Sequence, residues 1–179
     1  MPSSRPIWFN IMRVEQAVAE LCGDDDFRAK VEYLSQSIGG WERWFQLELA
    51  YHIYSLYNNI CEIKLEDRTA YSGGMYRADL TLIDKNSMKA TTTVELKCQG
   101  ANCAPSTFAS QVDQDIKKGD SAAQGRDYEV IAIVQSEAAL RSVKNYLGPR
   151  YPDLVSAHKF EGYTYLGGFI HYLRPGNSL

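Results

Sequence analysis

The run DYEVIAIVQS, from Asp127 to Ser136, sets the first limit on the fold. Val130 to Val134 is apolar without a break. A strand with one wet face alternates apolar and polar residues, whereas a strand buried on both faces does not. The segment therefore predicts an internal strand. A chain of 179 residues is long enough for one domain with a sizeable core around it.

The rest of the chain supplies candidates for the neighbouring layers. IMRVEQAVAEL, residues 11–21, has helical spacing and stops at Gly23. DDDFRAKVEYLSQSI follows, with Asp24 to Asp26 placed to cap its start and Gly39-Gly40 to end it. A third helix opens at Trp41 with WERWFQLELAYHIYSLY. It is apolar nearly all round, so it is predicted to lie in the middle of the structure.

The period then changes to two. Strands are predicted at residues 60–66, 75–84, 90–97 and from Asp127. Another is predicted at 163–173, bent or broken at Gly167-Gly168. Helices are predicted at 106–118 and 136–147. The expected class is α/β, with a central mixed sheet of about five strands flanked by helices.

Charge and composition exclude some functions. The formal net charge is −3, so a nucleic-acid surface would have to be a local patch. No apolar stretch reaches about 18 residues, so no membrane partner is expected. The start, MPSSRPIWFNIMRVEQ, lacks the charged-then-apolar pattern of an export signal. Cys22, Cys61, Cys98 and Cys103 have no zinc-site spacing. Reduced thiols and a cytoplasmic location are the expectation.

The chemistry is read from TTTVELKCQG, residues 91–100. Thr91 to Val94 favour an extended strand, which puts Glu95 and Lys97 on one face and Val94 and Leu96 on the other. The preceding strand carries Asp79. If Asp84 pairs with Ala90, Asp79 falls directly opposite Glu95. A turn of three or five residues gives that register; two or four would send Glu95 to the other face. Two carboxylates so close repel by roughly 4 kcal/mol at about 4 Å and an effective dielectric near 20. They need a proton or a cation between them. Lys97 can serve as that cation in a plain ion pair. A divalent ion such as Mg2+ (or Mn2+), which takes oxygen ligands, serves better and gives the arrangement a use.

Asp79, fifteen intervening residues and then Glu95-Leu96-Lys97 resemble the PD-(D/E)XK nuclease superfamily, which includes restriction endonucleases and Holliday-junction resolvases. The resemblance covers Trp41 to Gln135, the span of an α-β-β-β-α-β core. It implies one restriction-endonuclease-like domain over residues 1–179, with a helical part at 8–57, the nuclease core at 41–135 and a closing helix and strand at 136–179. It implies that Asp79 and Glu95 bind Mg2+ and that Lys97 assists the attacking water. Ala78 stands where the family's name-giving proline would be.

The family often adds an acidic residue from the helix before the strands. Glu42 shares a helix face with Phe45, Leu49, Ile53 and Leu56 and is favoured over Glu48, which has His52 one turn on. From the helix after the Glu-x-Lys strand, Gln111 is the candidate; it shares a face with Asp115 and Lys118. TAYSGGMYR, with Tyr71, Tyr76 and Arg77 around Gly73-Gly74, is a hairpin tip or a nucleic-acid contact.

The implied function is Mg2+-dependent hydrolysis of phosphodiester bonds, with DNA as the nucleic-acid partner. The alternative is an inactive nuclease-fold binding module: an immunity protein, an inhibitor or a structural subunit with a protein partner. The negative charge favours the module, since phosphate neutralisation dominates DNA affinity. The intact Asp79, Glu95 and Lys97 favour the enzyme. A homodimer is compatible with either reading.

Overall fold

Asp24 does what its position predicts. Its carboxylate accepts the Phe27 N–H at 2.8 Å and opens the second helix. The computed structural model describes residues 14–36, 41–160 and 166–176. Within them the chain forms α1 (Val14–Gly23), α2 (Asp25–Ser35), α3 (Trp41–Tyr57), β1 (Cys61–Asp67), β2 (Ala78–Asp84), β3 (Lys89–Cys98), α4 (Pro105–Lys118), β4 (Asp127–Val134), α5 (Glu137–Leu147), β5 (Val155–Lys159) and β6 (Gly168–Arg174). The predicted helix start at 11–13, the Gly39-Gly40 stop and the strand start at 163–165 lie outside the described residues.

The class is α/β. Six strands make one mixed sheet in the order β1-β2-β3-β4-β6-β5. β1, β2 and β3 form an antiparallel meander, and β4 joins β3 in parallel. That parallel step needs a crossover, which α4 supplies. β6 pairs antiparallel with both β4 and β5. From α3 to β4 the element order is α-β-β-β-α-β.

Alternation along the strands divides the core in two. Leu80, Leu82, Val94, Leu96, Ile131 and Ile133 pack with α1, α2 and α3. Ala78, Tyr128, Val130, Ala132 and Val134 pack with α4 and α5 on the other face. The internal strand read from DYEVIAIV is β4, buried on both faces as expected.

Two expectations are corrected. α3 does not lie in the middle: Trp41, Phe45, Leu49 and Ile53 are buried, while Leu47, Tyr51, Tyr54 and Leu56 are exposed. Its apolar residues outnumber the positions that the sheet can cover. The sheet has a sixth strand, β5, for which no prediction was made. VSAHK is a five-residue edge strand, only half-buried, and gives too short an alternation to stand out.

Glu15 ties α1 to that edge. It meets His158 Nε2 at 2.6 Å and His171 Nδ1 at 3.3 Å, and His171 Nε2 meets Glu129 at 2.9 Å.

The predicted break at Gly167-Gly168 marks the start of β6. A Cβ on Gly167 would lie 1.9 Å from the carbonyl carbon of Ser136, so backbone would meet side chain. Gly167 also donates its N–H to Val134 O at 2.8 Å. Gly167→Ala is therefore expected to destabilise by about 3 kcal/mol, the upper part of the usual overpacking cost. A urea melt that matches wild type would refute this close approach.

Candidate active site

The β2–β3 hairpin carries the site, and a bulge sets its facing. The turn is Lys85–Met88, because Asp84 pairs with Lys89 and Ile83 with Ala90. This corrects the expected pairing of Asp84 with Ala90. A four-residue turn alone would send Glu95 to the far face from Asp79. Between Leu82 and Ile83 the register shifts, and Thr91 becomes an extra residue on β3. Beyond it Leu82 pairs with Thr92, Thr81 with Thr93 and Leu80 with Val94. One step further, that register sets Asp79 against Glu95. Thr91 anchors the bulge by donating its hydroxyl to Leu82 O at 3.1 Å.

The β2–β3 ladder ends at Leu80–Val94. Even-numbered N–H groups of β3 point towards β2, so those of Leu96 and Cys98 lose their strand partner. Carboxylates take its place. Asp79 Oδ2 accepts from Leu96 N at 2.7 Å, and Glu42 Oε2 accepts from Cys98 N at 3.0 Å.

The start of α3 holds this open end in shape. Buried Trp41 donates its indole N–H to Gln99 O at 3.1 Å, which pins the helix beside the end of β3 and delivers Glu42 there. One turn on, buried Gln46 donates to Asp79 O at 2.5 Å. Gln46 in turn accepts from Arg43, whose guanidinium reaches Glu66 at 2.7 Å.

On the opposite layer α4 closes the pit. Asp115 is buried, with Lys118 Nζ at 2.5 Å from Oδ1 and Lys97 Nζ at 3.5 Å from Oδ2. Lys97 also lies 3.3 Å from Glu42 Oε1, and Lys118 lies 3.4 Å from Glu95 Oε2. Tyr71 donates its hydroxyl to Glu95 Oε1. Glu95 and Asp115 form the floor, with side chains 4% and 5% exposed. Glu42, Lys97 and Lys118 form a rim that water reaches.

Burial controls the protonation of the pair. It raises Glu95 to about 7, against the hydrogen bond from Tyr71 and the charge of Lys118, while Asp79 and Asp115 push the same way as burial. It raises Asp79 to about 6, opposed by the Leu96 N–H and assisted by Glu42. Lys97 is also desolvated, but Asp115 and Glu42 outweigh that and hold its pKa above the usual lysine value. Lys97 is thus an ammonium ion at neutral pH.

The structure brings Glu42, Asp79, Glu95 and Lys97 together around the open end of the hairpin. It does not bring Gln111 in: that side chain is exposed on α4 and makes no hydrogen bond to the cluster among the described residues. Glu48 lies elsewhere, 3.5 Å from Lys30 of α2. Asp115 and Lys118 were visible only as one side of a polar helix. Gln46 carried no sequence signal, and Tyr71 was read only as part of a loop tip.

Among the described residues, no three Asp, Glu, His or Cys side chains form a ready metal cage. Each carboxylate is turned to a protein donor. The set still suits a hard divalent ion in two respects. Its donors are all carboxylate oxygens. Asp115 Oδ2 is buried without a hydrogen bond.

Compared with known proteins, the chain matches no family model, no curated protein and no solved structure. Among the described residues, no helix is long and apolar enough to cross a membrane.

Proposed function

We propose that this chain is a Mg2+- or Mn2+-dependent nuclease of the PD-(D/E)XK type, which hydrolyses phosphodiester bonds in DNA. The observation that carries the reading is the shared facing of Asp79, Glu95 and Lys97, reached through the bulge at Thr91 and completed by Glu42.

Asp79 and Glu95 are the residues to hold the ion, with Glu42 at the rim. Bound there, a divalent ion polarises a phosphoryl oxygen and makes water a stronger nucleophile at neutral pH. Lys97, held as an ammonium, cannot accept a proton. It acts as a donor and a fixed positive charge, orienting the attacking water or stabilising the charge that builds on the phosphate. Asp115 and Glu42 fix the direction of Lys97 from two sides.

One observation favours the inactive binding module instead. Tyr71 and Lys118 both occupy Glu95, which leaves it satisfied without an ion.

The deciding experiment incubates the purified chain with linear, supercoiled, single-stranded and branched DNA and with RNA, in Mg2+ and in EDTA. DNA cleavage is expected in Mg2+ only, and its loss is expected in Asp79→Ala. Wild type that cuts none of these substrates would overturn the nuclease reading in favour of the module.

A further inference from the structure

We infer that Lys118 is a resident counter-cation of the acidic pit, which a divalent ion must displace, so that Lys118 sets the affinity of the site for that ion. The inference rests on the proposed metal-dependent reading and goes beyond it. Four carboxylates, Glu42, Asp79, Glu95 and Asp115, meet there, and among the described residues the ammonium groups paired with them are those of Lys97 and Lys118. The two lysines are not equivalent. Lys97 springs from β3, and its ammonium lies between Glu42 and Asp115. Lys118 is the last residue of α4, and its ammonium lies between Asp115 Oδ1 at 2.5 Å and Glu95 Oε2 at 3.4 Å.

Glu95 Oε1 already accepts from Tyr71, so Oε2 is the oxygen that Lys118 withholds. The Lys118 side chain is 29% exposed, and its four-carbon stem lets the ammonium swing into water without moving the backbone. Departure of Lys118 would free Glu95 Oε2 and Asp115 Oδ1, next to Asp115 Oδ2, which has no hydrogen bond and lies 3.5 Å from Lys97. An ammonium and a divalent ion cannot share so small a space, because like charges in a partly desolvated pocket repel strongly.

The test titrates Mn2+ into wild type, Lys118→Gln and Lys117→Gln by calorimetry. Lys117 is the control, since it pairs with Asp113 at 2.6 Å. Lys118→Gln is expected to bind Mn2+ about tenfold more tightly, equal to about 1.4 kcal/mol, and Lys117→Gln to bind as wild type does. A second measurement uses wild type alone: amine acetylation read by mass spectrometry should speed up at Lys118, and not at Lys117, when Mn2+ is added. Measurable wild-type binding with no gain in Lys118→Gln overturns the counter-cation while leaving the metal site standing. No Mn2+ binding by any of the three overturns both. If Lys118→Gln fails to fold, an unchanged acetylation rate at Lys118 on Mn2+ saturation overturns the inference by itself.

Discussion

Lys97→Ala is expected to fold, to retain the divalent ion and to cleave DNA about 10²–10³-fold more slowly than wild type. The division of labour in the pit is the reason. In the proposed mechanism Asp79 and Glu95 would supply the oxygens for the ion, whereas Lys97 would act as a fixed positive charge from its place between Glu42 and Asp115. Removing a preorganised charge of this kind costs roughly 3–4 kcal/mol of transition-state stabilisation. A lysine serving only as a solvated ion pair would cost about 0–1 kcal/mol of stability and nothing in rate. Single-turnover rates and melting temperatures of wild type and variant separate the two. Lys97→Met, which keeps the length of the stem, should lose rate equally. An unchanged rate in either variant would remove Lys97 from the mechanism.

Without divalent ions, the contribution of Asp79 and Glu95 to stability is expected to fall as pH rises from about 4 to about 7, and to level off above that. In the unfolded chain Asp79 and Glu95 lose their protons near 3.8 and 4.5, but in the folded pit near 6 and 7. Between those values the folded state holds protons that the unfolded state has released. Raising the pH removes them and leaves repelling carboxylates, so stability falls. For Glu95 alone the shift corresponds to about 3 kcal/mol, an upper bound because the two carboxyls titrate together.

Saturating Mg2+ should reverse the slope, because the ion binds the ionised form. At a hundred times its dissociation constant it adds about 2.7 kcal/mol. Urea melts at several pH values, in EDTA and in Mg2+, measure both effects. Other groups shift as well, Asp67 and Asp113 downwards, so the slope is read as the difference between wild type and Glu95→Gln. Equal slopes in those two proteins would show that Glu95 does not hold the proton.

How much of this was legible in the sequence depended on whether a residue's signal was local. Helical spacing and the cap at Asp24 located the helices, and simple alternation put Glu95 and Lys97 on one face. Glu42 could be proposed because a glutamate sat on an apolar stripe. Asp115 and Lys118 were harder. They share the face of α4 that also bears Gln111, and periodicity cannot say which part of a polar face turns towards water. The structure turns Asp115 inwards and leaves Gln111 outside, a difference set by how α4 lies against β4. Tyr71 reaches Glu95 across twenty-four positions of sequence, through a loop with no periodicity at all. The exposure of Leu47, Tyr51 and Tyr54 on α3 was hidden for the converse reason: composition reports what a residue prefers, not whether a partner layer is wide enough.

The bulge at Thr91 also bears on how such a site can change over generations. With the four-residue turn kept, a one-residue gain or loss between the strands would ordinarily swap every side chain of the following strand between faces. A bulge forming or vanishing downstream restores the frame, as it does here. The hairpin can therefore absorb an indel without parting its two carboxylates. Among descendants of this chain that keep a four-residue turn, the bulge should then be present or absent according to whether the spacing between the acidic residues is even or odd.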